Sequence, residues 1–181
     1  MEGHEIENIL NNSPGVKDIF RGVYSSDTLP KINKNEFYPC GFISNTDKAD
    51  EPGEHWVAYF IESKNSLPEY FDSFGLPPLN KDLMSFLPDE KFKYSDKCIQ
   101  NILSSFCGYY AIYFILFRSN NFSYENILKH FKEDTKLNDS YVNEFIQNLI
   151  KKFLIESKTK KIKSQTSLPL CNTKYCNFFH L

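Results

Sequence analysis

Residues 106–117 run Phe-Cys-Gly-Tyr-Tyr-Ala-Ile-Tyr-Phe-Ile-Leu-Phe, apolar almost throughout and closed by Arg118. The run is too long for an ordinary strand and falls short of the ~18 residues a membrane span needs. Ser104 and Ser105 stand before it, and either can cap a helix start. The segment therefore predicts a buried central helix, and a helix apolar on every side must be covered on every side. With 181 residues, 17 Phe and 11 Tyr, the chain can supply that cover as one domain with an aromatic-rich core and no disulfide or metal support.

The cover is to be sought upstream. Residues 37–44 and 55–61 are rich in β-formers, and 69–74 form a third such stretch. Lys64-Asn65-Ser66-Leu67-Pro68 supplies turn chemistry between the last two, which predicts an antiparallel hairpin ending at Gly75. Ile6, Ile9 and Leu10 are spaced for a short first helix, stopped by Asn11-Asn12-Ser13-Pro14-Gly15. Residues 78–87 read as a helix on Leu79, Leu83, Phe86 and Leu87, and 91–94 as a further strand. Residues 123–131 and 140–155 read as amphipathic helices, the second on Tyr141, Phe145, Leu149 and Phe153, with Lys151 and Lys152 near its negative end. The order describes an α+β domain over 1–181, with a mostly antiparallel central sheet flanked by helices and a basic segment from about residue 157.

Net charge is -2, yet residues 1–150 hold 14 Lys+Arg against 22 Asp+Glu while 151–181 hold 7 against 1. Lys158, Lys160, Lys161 and Lys163 form the densest part of that basic end, which suits either a solvated tail or contact with DNA or an acidic partner. The five cysteines are odd in number, and the opening residues lack the basic and apolar blocks of a signal peptide. Reduced, intracellular thiols and a protein that does not enter a membrane are expected. Cys171 and Cys176, with only His180 nearby, lack a convincing zinc ligand set.

Among the cysteines, Cys107 stands at the start of the predicted central helix, where unpaired N–H groups and the positive dipole end favour a thiolate. Gly108 beside it leaves room for a substrate backbone. A thiol nucleophile needs a base, and His55 sits next to Trp56 at a predicted strand, where a side chain is rigidly held. His4 and His180 are near the ends and His130 is on an amphipathic helix, so surface roles are expected for these. The imidazole in turn needs an orienting group. A turn over Lys64-Asn65 pairs Val57 with Asp72, making His55 the same-face diagonal neighbour of Asp72. Gln100, seven positions before Cys107, can donate to an oxyanion.

The ordered set Gly53-Glu54-His55-Trp56, Phe71-Asp72-Ser73-Phe74-Gly75 and Gln100 followed by Ser104-Ser105-Phe106-Cys107-Gly108 resembles the adenovirus protease (adenain) family of cysteine peptidases, found in adenoviruses, virophages and related DNA mobile elements. Phe20-Arg21-Gly22-Val23-Tyr24, Asn45-Thr46 and Ile162-Lys163-Ser164-Gln165-Thr166-Ser167 extend the likeness. The resemblance implies a cysteine protease fold with Cys107 as nucleophile, His55 as general base and Asp72 where the adenoviral enzymes carry Glu. Gln100 and the Cys107 backbone N–H would form the oxyanion hole, and Gly53, Glu54, Trp56 and Gly108 would line the substrate path. It implies a monomeric endopeptidase that cleaves capsid precursors at small, glycine-containing sites during particle maturation, in the infected cell's viral factory or nucleus and inside the virion. No cofactor is required, but DNA or a viral peptide are activators in that family. No cysteine well before Gln100 has the spacing of the peptide's disulfide tether. Two other readings accompany this one: a deconjugating peptidase for a ubiquitin-like modifier, since Asp at this position occurs in such enzymes, and a capsid-associated module without turnover.

Overall fold

The structure, a computed structural model, describes residues 1–30, 38–87 and 91–166, with side chains as far as residue 159. The chain divides into two compact units, Met1–Gln147 and Asn148–Leu181. In the first, a four-stranded sheet has the order β1 (Phe20–Tyr24), β2 (Cys40–Asn45), β3 (Trp56–Ile61), β4 (Glu69–Phe71). β1 runs parallel to β2 and the other pairings are antiparallel. The helices are α1 (Gly3–Asn11), α2 (Lys81–Ser85), α3 (Cys107–Ser119), α4 (Tyr124–Leu128) and α5 (Thr135–Thr166), with a 3-10 turn at Ser26–Thr28. The architecture is α+β, as the order of apolar segments implies.

α3 is the predicted central helix, and every residue of it except Tyr109 and Phe117 is buried. It lies against β2 and β3. Gly41 marks the contact, because a Cβ there would stand 2.9 Å from Ile115 Cδ1 and 3.0 Å from Phe60 Cδ2. On the same side Phe71 stacks on Phe114 at 4.5 Å between centroids. Alternation sends Phe42, Val57, Tyr59 and Tyr70 to the opposite face, where they pack with Leu83, Leu87, Phe86 and Phe92. A sheet covered on both faces explains why its strands read as continuous apolar runs.

The hairpin has the register set by its turn. Ser66 N donates to Ser63 O across Lys64-Asn65, and Ala58 pairs with Phe71, Tyr59 with Tyr70 and Phe60 with Glu69. Several boundaries differ from expectation. β2 begins at Cys40, and residue 37 lies outside the described residues. β3 begins at Trp56, so His55 immediately precedes the strand, and β4 ends at Phe71, so Asp72 immediately follows it. The expected strand at 91–94 is a single bridge from Lys93 to Glu69, because the chain then turns away to pack Asp96 under Gly75. α2 is shorter than the predicted helix: Asn80 caps it by accepting from Leu83 N at 2.7 Å, and Leu79 is left exposed. α3 is not capped by Ser104 or Ser105; its N-cap is Phe106, without a side-chain bond.

α4 is capped by Ser123, whose Oγ accepts from Asn126 N at 3.2 Å. α5 starts five residues before the predicted position because Asp134 Oδ1 accepts from Lys136 N and Leu137 N. Its buried residues in the first unit are Asn138, Asp139, Val142 and Ile146, with Tyr141 exposed, so the inward face is rotated from the expected one. Of the second unit, the described residues are the rest of α5. No helix among the described residues is long and apolar enough to cross a membrane.

Candidate active site

Antiparallel pairing brings the start of β3 beside the end of β4, so the residues flanking those ends meet. His55 Nε2 lies 2.9 Å from Asp72 Oδ1, with both side chains largely buried. A carboxylate only accepts, so Nε2 carries the proton and donates to it. Phe74 N donates to the same oxygen at 2.7 Å, and the Phe74 ring stacks on the imidazole at 4.9 Å. Asp72 is thereby fixed by its own turn, and His55 is fixed by Asp72 and Phe74.

His55 Nδ1 is buried and makes no hydrogen bond. The Cys107 thiol, at the first residue of α3, lies beside this imidazole, close enough for each group to shift the other's titration. Burial disfavours the Cys107 thiolate, but His55 and the backbone amides of Trp56 and Gly108 outweigh it and hold the thiol below its ordinary pKa. Burial alone would depress His55, yet the Asp72 carboxylate and Cys107 raise it from 6.5 to about 9. Both shifts favour a thiolate facing an imidazolium. That arrangement can carry out nucleophilic acyl transfer without a metal ion. Among the described residues no His, Cys, Asp and Glu cluster to hold one.

Of the remaining candidate residues, Trp56 and Gly108 adjoin the thiol. Asp47 Oδ2 accepts from Gly53 N at 3.2 Å and Glu54 N at 3.1 Å, which holds the exposed loop that leads into His55. Gly53 adopts φ +82, a conformation that favours glycine. Trp56 lends its backbone N–H to the thiol while its Nε1 donates to Met1 O at 3.1 Å. Gly108 is buried, and a Cβ there would stand 3.2 Å from Trp56 Cδ1 and 3.4 Å from Met1 Sδ. The glycine thus permits close approach of α3 to Trp56, a packing reason that the sequence alone did not offer.

Gln100 is buried, and its amide is engaged at both ends. Ser73 Oγ donates to Oε1 at 2.6 Å, and Nε2 donates to Ser104 O at 3.0 Å and contacts Ser104 Oγ at 3.2 Å. Ser73, Phe74 and Ser104 were not singled out from sequence as site residues. The available signal was alternation: Asp72 and Ser73 are neighbours beyond a strand, so they point in opposite directions. His130 departs from its expected surface role, since Tyr113 OH lies 2.7 Å from its Nδ1 and Phe117 and Phe122 pack on its ring. His4 is exposed, whereas His180, Cys171 and Cys176 lie outside the described residues. Lys158 is exposed on α5; Lys160, Lys161 and Lys163 lie on its backbone, their side chains outside the described residues.

Comparison with known proteins finds viral thiol proteases. The chain is 25% identical over 154 residues to the cysteine protease S273R of African swine fever virus, covering 71% of this chain and 51% of that protein. It is 29% identical over 122 residues to the "Putative thiol protease R355" of Acanthamoeba polyphaga mimivirus, covering 61% of this chain and 40% of that one. The chain thus spans about half the length, or less, of the curated relatives it matches. A crystal structure of the African swine fever virus pS273R protease superposes with a TM-score of 0.41 at 24% identity, covering 57% of this chain and 44% of that chain. No protein-family model matches.

Proposed function

We propose that the chain is a thiol endopeptidase of a DNA virus or related mobile element, of the adenovirus protease type, with Cys107 as nucleophile, His55 as general base and acid, and Asp72 as the orienting carboxylate. The observation that carries the reading is the chain of contacts Asp72, His55 Nε2–H, and a bare Nδ1 beside a thiol of lowered pKa at a helix start. The names of the two viral relatives support the same chemistry.

The thiol proton passes to Nδ1, and the thiolate adds to a peptide carbonyl, whose oxygen takes the negative charge. The Cys107 N–H, unpaired within the helix as a first-turn amide, and the Gln100 Nε2–H are assigned to that oxyanion. Collapse expels the amine with the Nδ1 proton and leaves a thioester. Water then gives a proton to Nδ1 and attacks the thioester carbonyl, releasing the acid and the thiol. Substitutions of Cys107 and His55 are the direct test: an activity-based peptide vinyl sulfone should label wild type at Cys107 and fail on Cys107→Ala and His55→Ala. Labelling that ignores both variants, or its absence in wild type, rejects the enzyme in favour of a module without turnover.

The substrates assigned are capsid precursors cut at small, glycine-containing sites during particle maturation, by a monomer packaged with its substrate. No cofactor is assigned, and the basic segment containing Lys158, Lys160, Lys161 and Lys163 is assigned contact with DNA. Asp72 favours one alternative, deconjugation of a ubiquitin-like modifier, which uses the same residues. Cleavage rates on a quenched Gly-Gly peptide and on a ubiquitin-like fusion separate the two. Comparable rates support maturation, and a rate that depends strongly on the folded modifier supports deconjugation.

A further inference from the structure

Gln100 is unusually constrained for a residue given a catalytic task. Its own N–H and that of Ile99 both donate to Ser73 O, at 3.1 and 2.9 Å. Ile99 O accepts from Asn138 Nδ2 at 2.9 Å and Tyr110 OH at 3.1 Å, and Asn101 N donates to Asp139 Oδ1 at 3.3 Å. The backbone is therefore pinned on both sides of Gln100 by α3 and the first turns of α5. What remains free is the side-chain amide, and its direction is decided by two serines.

Ser104 O can only accept, so the amide group facing it at 3.0 Å is the NH2, and Oε1 must face the other way. There it meets the Ser73 hydroxyl at 2.6 Å, a short bond between two groups that are each 1% exposed. A buried Oε1 deprived of this donor is left unsatisfied, and rotation of the amide to find water or another donor carries Nε2 away from its place. We infer that Ser73 is the positioning residue of the Gln100 amide, holding Oε1 so that Nε2 stays aimed along the segment that ends in Cys107. The inference rests on the oxyanion role proposed for Gln100. An oxyanion is a stronger acceptor than the neutral Ser104 hydroxyl at 3.2 Å and would replace that contact during the reaction. Ser73 and Asp72 then divide the work of one turn: Asp72 orients the base and Ser73 orients the oxyanion donor.

The test combines peptide hydrolysis with alkylation of Cys107 by iodoacetamide, a displacement that develops no oxyanion. Ser73→Ala is expected to lower kcat on a cleaved quenched peptide by about tenfold to a hundredfold, less than the roughly 10²- to 10³-fold lost when an oxyanion donor is removed outright. KM and the alkylation rate of Cys107 stay at wild-type values. Adding Ser73→Ala to Gln100→Ala should cost nothing beyond Gln100→Ala alone. Ser73→Cys, which is slightly larger and donates poorly, gives a loss of the same sense and serves where the alanine variant folds badly, with alkylation at Cys107 read by mass spectrometry. Alkylation that falls in parallel with kcat, or losses that multiply in the double variant, overturns the inference. If Gln100→Ala lowers kcat and Ser73→Ala does not, Ser73 alone loses its role. If Gln100→Ala leaves kcat intact, the oxyanion reading and this inference fall together.

Discussion

At the scale of single residues, the site is a set of opposed environments around one proton. Cys107 is pulled down against burial, and His55 is pushed up to about 9 against burial, so the ionic pair spans the range between them. The sign of the pH dependence follows: kcat/KM should rise on the acid side as Cys107 gives up its proton and fall on the alkaline side as His55 loses its own through about 9. Asp72→Asn removes the carboxylate that supplies the largest upward influence on His55. The alkaline limb should then move to lower pH, alongside a loss of about 10²- to 10⁴-fold in kcat/KM, as for a disabled general base. A full pH–rate profile of both proteins checks this; an unmoved alkaline limb would detach Asp72 from His55.

At the scale of elements, the site depends on how α3 is seated, and two features seat it. Gly41 lets the helix touch β2, and Gly41→Ala should destabilise the fold by about 1–3 kcal/mol through overpacking, measured by denaturant unfolding. At the other end of α3, Arg118 Nε donates to Glu69 Oε2 at 2.6 Å with both side chains buried, and Arg118 also bonds Phe122 O. Arg118→Ala leaves the buried Glu69 carboxylate with only Lys93 Nζ at 3.7 Å and should cost about 3–5 kcal/mol, whereas replacing both Arg118 and Glu69 with matched apolar residues should cost much less. Equal losses in the single and paired variants would contradict the role of the ion pair.

These elements also show what the sequence made legible. The apolar run fixed α3 because no other structure hides twelve such residues, and the turn at Lys64-Asn65 fixed the hairpin register and so the meeting of His55 with Asp72. β1 carries little strand signal in the sequence, since Arg21 and Gly22 break its alternation and its parallel pairing with β2 is a tertiary fact. The apolar spacing from Tyr141 points to a later start for α5 than the one that Asp134 caps. The amide of Gln100 was legible as a donor. Its holder was not, since Ser73 and Gln100 are 27 residues apart and a serine carries no pattern of its own.

At the scale of the whole molecule, the candidate site and the densest positive charge fall in different stretches of the sequence. The residues proposed for catalysis lie in the Met1–Gln147 unit, while residues 151–181 hold 7 Lys+Arg against 1 Asp+Glu. Reversing Lys158, Lys160, Lys161 and Lys163 to Glu is therefore expected to abolish retardation of duplex DNA at low salt while leaving kcat on a short peptide unchanged. Unchanged retardation would remove DNA from the proposed partners. The central claim, a thiolate made by His55 at Cys107, is tested most directly by the pH dependence of Cys107 alkylation, followed by mass spectrometry in wild type and His55→Ala. The wild-type curve should rise at lower pH than that of an ordinary thiol, and His55→Ala should displace it upward toward the ordinary range near about 8.5. Two superimposable curves, both rising only in that ordinary range, would contradict the account.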